Sequence, residues 1–384
     1  MAATRHGGSS RLPGPLGYLG IPSQNEWHGA PEGNAQPASD NAQMHHTPDA
    51  TPLHPFATLT PDVVLDALAS VGLYGDGRLM ALSSYENRVY QVTLEDGERV
   101  VAKFYRPGRW SEAQILEEHA FAAELMAAEV PAVGPLVLAG RTLHPFGGFQ
   151  FSVSPWRGGR QPELDDFEVL EWIGRFLARI HTVGAARPFT HRPALDLQGF
   201  GAEPRDWLLE HELIPLDVQS AWRDACKTAL DLIASSALQE SAGGQFLLKD
   251  ATLLRLHGDC HAGNVLWTDA GPHFVDFDDS RMGPGIQDLW MLLSGSRAEM
   301  QSQLTDILVG YEDFLDFDAR QLHLIEALRT LRLLHYSAWL AQRWDDPAFP
   351  AAFPWFNSQR YWQDRILELR EQIALMDEAP LWPV

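Results

Sequence analysis

The chain has too few cysteines for a disulfide framework: Cys226 and Cys260 are the only two in 384 residues. Isolated thiols fit a reducing compartment, so a cytoplasmic protein is expected. No apolar run is long enough to cross a bilayer, and the first residues lack a charged-then-apolar leader. Positive charge is short as well. Lys and Arg total 29 against 51 Asp and Glu, a formal net charge of −22. Such a chain repels nucleic acid and anionic lipid, which excludes both as expected partners. No internal repeat is visible. Residues 1–52 lack periodic apolar residues and are rich in Gly, Pro, Ser, Asn and His; they read as a disordered extension. The rest is long enough to bury a sizeable core.

What is present is concentrated in residues 257–279, H-G-D-C-H-A-G-N-V-L-W-T-D-A-G-P-H-F-V-D-F-D-D. Asp259 and Asn264 stand five residues apart, and Asp276 follows the apolar pair Phe274-Val275. Kinases place a catalytic carboxylate, a metal-binding amide and a metal-binding carboxylate in this order. Phosphoryl transfer from ATP uses Mg²⁺, which prefers hard oxygen ligands. Asn264 and Asp276 each offer one, and Asp276 thereby joins the catalytic set. Asp259 would accept a hydrogen bond from the attacking hydroxyl. A zinc cluster of His257, Asp259, Cys260 and His261 is the competing reading. No second His or Cys group stands at structural-site spacing to complete it. The kinase reading also requires an upstream lysine and glutamate, and both are there.

Residues 100–105, V-V-A-K-F-Y, read as a strand carrying Lys103 among β-branched and aromatic residues. Ser111 opens a helix, with Gln114 completing a capping box. Glu117 and Glu118 lie in its first half, and either can pair with Lys103; Glu118 is preferred. Around them the pattern predicts a helix over 60–71, strands near 78–83, 88–94, 99–105, 136–139 and 149–154, and a hairpin turn at Asp96-Gly97. Helices are expected over 166–182, 218–235, 286–294, 299–315, 319–343 and 358–376. The expected class is α+β, a bilobal kinase-like fold. A nucleotide-binding lobe spans 53–155 and a catalytic and substrate lobe spans 156–384. Ser154-Pro155-Trp156 is the expected hinge, where backbone groups would meet adenine. ATP would sit in the cleft between the lobes. Lys103 and Mg²⁺ would offset the repulsion of ATP by so acidic a chain.

Six segments carry a closer resemblance: 84–91 (S-Y-E-N-R-V-Y-Q), 101–110 (V-A-K-F-Y-R-P-G-R-W), 114–119 (Q-I-L-E-E-H), 255–267 (R-L-H-G-D-C-H-A-G-N-V-L-W), 287–293 (Q-D-L-W-M-L-L) and 346–355 (D-P-A-F-P-A-A-F-P-W). Over about residues 53–380 the chain resembles the bacterial stress response kinase A family, within the fold shared by aminoglycoside phosphotransferases and choline kinases. The resemblance implies an ATP-dependent serine/threonine protein kinase acting in stress responses, with Ser84 at the ATP site. The chain departs from typical protein kinases at 82–89, where the phosphate hairpin has no glycine. Backbone amides and the hydroxyls of Ser83 and Ser84 would have to hold the phosphates.

Asp288 and His257 are expected to brace the catalytic loop, and His181 to end a helix. Asp278 and Asp279 are expected either to extend the metal shell or to be plain loop acids. The acceptor surface is expected within 329–355, with Arg332, His335 and Tyr336 beside a groove open near Asp259. The acidic composition would suit a cationic acceptor. The enzyme is expected to act as a monomer on a protein Ser or Thr. A small-molecule kinase acting on an amino alcohol, sugar or aminoglycoside has the same chemistry and stays open. A nucleotide-binding pseudokinase is disfavoured by the complete set of Lys103, Asp259, Asn264 and Asp276.

Overall fold

Thr60 begins the first helix as its sequence predicts. Its hydroxyl accepts the Val63 amide at 3.3 Å, and Pro61 fills the first turn of α1 (Pro61–Ser70). The computed structural model describes residues 54–235 and 248–382, so the extension expected over 1–52 lies outside the described residues. α1 buries Val64, Ala67 and Leu68 against a sheet. The strands are β1 (Gly75–Ala81), β2 (Arg88–Leu94), β3 (Arg99–Phe104), β4 (His144–Phe146) and β5 (Phe149–Pro155). Their order is β1-β2-β3-β5-β4, with every neighbouring pair antiparallel. Between β3 and β4 runs α2 (Glu112–Ala127), opened by the Ser111–Gln114 capping box.

The strand expected over 136–139 does not form. Leu136 donates one hydrogen bond to Val153, but Ala139 and Gly140 turn with positive φ, +48° and +77°, and end the run. β4 takes the sheet edge in its place.

The second half is helical: α3 (Phe167–Ala185), α4 (Glu203–Glu210), α5 (Leu216–Ala234), α6 (Ile286–Trp290), α7 (Arg297–Tyr311), α8 (Ile325–Gln342), α9 (Ala348–Ala352) and α10 (Gln359–Met376). α3 packs on α7, α5 on α10, and α8 on both α4 and α10. α4 and α9 were not expected. α4 carries Pro204 and acids in its first turn, a start signal that the sequence does contain. Among the described residues two large apolar cores result, one around Phe104, Phe149 and Phe151, the other around Trp222, Trp362 and Phe274, with a small third cluster of Tyr105, Ile115 and Leu143. Each such side chain contributes about 1.5–3 kcal/mol on full burial.

Two small ribbons place the chemistry. β6 (Leu254–Arg255) pairs with β9 (Met282–Gly283), and β7 (Val265–Thr268) pairs with β8 (Gly271–Phe274). The second ribbon sets Val275 beside Asn264, with the Val275 amide donating to the Asn264 carbonyl at 3.0 Å. Asn264 and Asp276 are thereby brought to one end of a ribbon.

Candidate active site

Gly258 has φ +87°, and a Cβ there would stand 2.1 Å from the Asp279 carbonyl oxygen. Only glycine lets the H-G-D loop lie this close to the loop after Asp276. Asp288, at the start of α6, accepts the amides of His257 (2.8 Å) and Gly258 (2.9 Å). His257 Nε2 meets the Val275 carbonyl at 2.9 Å. Both residues hold backbone, as the sequence suggests. His181 differs from expectation. It lies inside α3, fully buried, with Tyr311 Oη at 2.8 Å and Asp288 at 3.2 Å. It therefore supports Asp288 and does not end the helix.

Lys103 projects from β3, and its Nζ lies 2.7 Å from Asp276 Oδ1 and 3.3 Å from Asp278 Oδ1. Burial alone would lower its pKa, but Asp276, Asp278 and Glu118 together hold it well above the usual lysine value. Asp276 itself takes φ +60°, ψ +64°, a left-handed conformation that costs a non-glycine residue about 1–3 kcal/mol. The expected ion pair between Lys103 and Glu118 is not formed. Glu118 is buried beside Arg192 at 3.5 Å, while Asp276 and Asp278 take the lysine. Burial pushes the Glu118 carboxyl up to about 7, against the pull of Lys103 and Arg192. Glu117 faces elsewhere and accepts three backbone amides, from Thr190, His191 and Arg192.

Asp278 and Asp279 are paired with arginines rather than free. Arg109, in the loop after β3, contacts both carboxylates, and Arg281 donates to Asp279 at 2.7 Å. Burial would raise the Asp278 pKa, but Arg109, Lys103 and Arg192 outweigh it and hold the carboxyl well below the usual range.

The glycine-free hairpin is anchored by buried polar contacts that the sequence did not reveal. Asn87 donates to Asp278 (3.1 Å) and accepts the Arg106 amide (3.1 Å). Glu86 accepts Trp339 Nε1 (2.5 Å) from α8 and Arg343 Nε (2.6 Å) from the residue that caps it. Asp346, with a side chain 1 % exposed, takes both Arg88 (2.7 Å) and Arg106 (2.8 Å). Glu86, Asn87, Arg88, Arg106 and Asp346 belong to segments 84–91, 101–110 and 346–355, which meet here. That those segments shared one resemblance was the available signal. Within the hairpin Ser83 is exposed and Ser84 half-buried. Ser154 pairs with Val101 on β3, and Trp156 lies under the Arg99 guanidinium at 3.4 Å. Beyond Trp156 the chain runs beside β7, where Arg160 and Trp267 exchange backbone hydrogen bonds of 2.9 and 2.7 Å. The expected hinge is thus continuous with the strand that follows Asn264.

Asp259 is largely buried. Its Oδ1 lies 3.0 Å from Arg332 Nη2 but accepts no well-directed hydrogen bond, and Oδ2 is 3.5 Å from His261. Burial would raise its pKa; Arg332 first, then His261, hold it well below the usual carboxylate range. The group is therefore held in its charged form, with Arg332 over Oδ1 and His261 near Oδ2. Of the other residues expected on the acceptor side, His335 stacks on Phe200 (4.2 Å) and Tyr336 on Trp339 (5.6 Å). A cavity of about 430 Å³ opens beside them, with His335, Arg281 and Arg343 among its walls. The expectation of a site suited to cations is not met locally, because this side is rich in arginine.

The donor set fits Mg²⁺. Asn264 Nδ2 donates to the Asp259 carbonyl at 2.9 Å, which leaves its Oδ1 for a ligand, and Asp276 offers a carboxylate beside it. Two protein oxygens plus phosphate oxygens and water suit that ion. Among the described residues no three His, Cys, Asp or Glu side chains gather as a metal-binding group. His257 is bonded to backbone and Cys260 is buried in the core, so the zinc reading lacks its ligands.

Residues 79–325 match the model of the phosphotransferase enzyme family. Stress response kinase A of Salmonella choleraesuis is 47% identical over 326 residues, 85% of this chain and 96% of that protein. The serine/threonine protein kinase RdoA of Salmonella typhimurium matches with the same identity and coverage. Among solved structures, the amicoumacin kinase hAmiN, in complex with AMP-PNP, Ca²⁺ and Ami, superposes with a TM-score of 0.61. It is 19% identical and covers 82% of this chain and 93% of its own, a likeness of fold.

Proposed function

The chain belongs to the stress response kinase A family, within the phosphotransferase enzyme family, and we propose that it is an ATP- and Mg²⁺-dependent serine/threonine protein kinase. It would act in the cytoplasm as a monomer, in a stress response. The observation that carries this reading is the Asp259 carboxylate, held charged by Arg332 and His261 in a loop shared with Asn264. A charged carboxylate beside a metal-binding amide is what an attacking hydroxyl needs. Asp259 orients that hydroxyl and takes its proton as the hydroxyl oxygen bonds to the γ-phosphorus and the bond from that phosphorus to the β,γ-bridging oxygen breaks, releasing ADP. Lys103 neutralises charge on the α- and β-phosphates. Asn264 and Asp276 would hold Mg²⁺, which supplies charge neutralisation at the transferring phosphate. Backbone amides of the 82–87 hairpin, with Ser83 and Ser84, cradle the phosphates, and the chain at Ser154 and Trp156 faces adenine. Glu118 supports this cluster from behind through Arg192 and its field on Lys103.

The protein acceptor rests on the relative named a serine/threonine protein kinase at 47% identity. A small-molecule acceptor is the second reading, favoured by a cavity of about 430 Å³ beside the site, within the usual size of a metabolite pocket. Incubation with Mg²⁺ and radiolabelled ATP, together with a protein and metabolite panel, separates them. Label on protein serines or threonines, including the enzyme's own, supports the first. Label only on a small hydroxylated metabolite overturns it.

A further inference from the structure

The chain carries 51 acidic against 29 basic side chains, yet arginines collect on one side of Asp259. Arg332 pairs with Asp259 at 3.0 Å and keeps 28% of its side chain exposed. One helical turn on, His335 forms part of the cavity wall, with Arg281 and Arg343 in the same wall. His335 is neutral at physiological pH: burial and the neighbouring Arg281 and Arg332 push it down to about 3.

Of the three wall arginines, Arg109 is committed to Asp278 and Asp279, while Arg281 and Arg343 are under-used as donors. Arg281 gives Nε and Nη2 to Asp279, and Arg343 gives Nε to Glu86 and Nη1 to Gln342. Among the described residues, Arg281 Nη1 and Arg343 Nη2 find no hydrogen-bond acceptor. Burial lowers the pKa of both, and the acids beside them do not fully compensate. Two acids also line the cavity. Asp279 is held by Arg109 and Arg281, and Glu203 is exposed with Gln198 as its partner at 3.4 Å. The remaining wall is mostly apolar and includes Trp110, Phe200, Trp207 and Trp339. An ammonium group placed here would meet guanidinium groups at close range. A carboxylate would find two free N–H donors and a cationic field.

We infer that this cavity is the acceptor-flank subsite of the kinase, taking the carboxylate of an aspartate or glutamate near the serine or threonine that is phosphorylated. The inference rests on the protein-kinase reading above. The cavity lies near Asp259: Arg332, which contacts that aspartate, stands one helical turn before the wall residue His335, and the wall residues Asp279 and Arg281 are within electrostatic reach of Asp259. An extended peptide advances about 3.3–3.6 Å per residue, so the acid would stand within a few residues of the acceptor hydroxyl. Arg281 and Arg343 are specificity-determining residues in this scheme. Arg332 sets the sign of charge tolerated next to Asp259.

The test uses the full chain, Mg²⁺-ATP and three matched serine peptides flanked by Glu, Gln or Lys. The expected order of kcat/KM is Glu over Gln over Lys, with about tenfold between the first two, the size of one charge-assisted contact. Arg343→Gln should bring the Glu-to-Gln ratio close to one. Glu203→Gln, at an exposed position where glutamine keeps an oxygen for the 3.4 Å bond from Gln198, should raise that ratio, and it covers the case in which the arginine variant fails to fold. A second arm titrates the Glu peptide with its serine replaced by alanine, without nucleotide, read by tryptophan fluorescence. Saturable binding that weakens with salt and is lost in Arg343→Gln supports the subsite. Equal kcat/KM for the three peptides, or a preference for the Lys peptide, overturns it while leaving the protein-kinase reading intact. If only metabolites are phosphorylated, the protein-kinase reading fails. The alanine peptide then decides the cavity by itself, absence of binding overturning the subsite.

Discussion

Lys103 Nζ lies 2.7 Å from Asp276 Oδ1 although the two residues are 173 positions apart. The contact joins a strand of the sheet lobe to the loop after β8, and it keeps the lysine charged inside the cleft. Lys103→Ala removes the cation facing Asp276, Asp278 and the phosphates. Steady-state kinetics should show kcat reduced on the order of 10²–10³-fold, the usual cost of losing one preorganised charge contact at a reacting group. A rise in KM for ATP with kcat unchanged would mean that the lysine only binds.

Nucleotide affinity should depend on Mg²⁺, because Asp276 and Asp278 place two carboxylates around Lys103, the group proposed to meet the phosphates. Calorimetric titration of ATP with Mg²⁺ should give clearly tighter binding than the same titration in EDTA. Equal affinity in the two would remove Asn264 and Asp276 as metal ligands.

Asp346→Ala should destabilise the fold by about 3 kcal/mol, the lower end for breaking a buried ion pair, since Arg88 is partly solvated. The variant leaves Arg88 and Arg106 without their carboxylate and frees the 82–87 hairpin from α9. Denaturant unfolding measures the loss, and a change below about 0.5 kcal/mol, the size expected of an ordinary surface substitution, would show that this contact does not anchor the hairpin.

Glu118 makes stability depend on pH in a stated direction. Its folded pKa, about 7, lies above its ordinary value of 4.5. Below pH 4.5 both states hold the proton; above that the unfolded chain releases it first, so stability falls until pH passes about 7. Over that interval the wild type should lose more stability than Glu118→Gln, by no more than about 3 kcal/mol. Parallel pH profiles for the two proteins would place the titration elsewhere.

The catalytic loops were legible because their chemistry is local. Asp259 and Asn264 share one loop, and Asp276 follows a short strand whose apolar residues announce it. Lys103 could be read because the chain has only three lysines, Lys103, Lys227 and Lys249, and one sits in a β-branched strand. The long helices followed from periodicity and from caps such as Thr60 and Ser111. Contacts between distant segments were not legible. Nothing near Glu118 in sequence says that Arg192 will stand beside it, or that Asp278 will take the second position on Lys103. Arg88, Arg106 and Asp346 look like surface charges until the fold buries them together. His181 looked terminal because α3 was read three residues short of its end at Ala185.

The central claim is that Asp259 acts on the acceptor hydroxyl while Asp276 acts on the metal and nucleotide. The most direct measurement pairs calorimetric binding of Mg²⁺-ATP with single-turnover phosphate transfer, in Asp259→Asn and Asp276→Asn. Asp259→Asn should keep nucleotide affinity close to wild type and lose transfer by about 10²–10⁴-fold, the range for a positioned general base. Asp276→Asn should weaken binding and transfer together. Near-normal transfer in Asp259→Asn, or loss of nucleotide binding in that variant alone, would contradict the account.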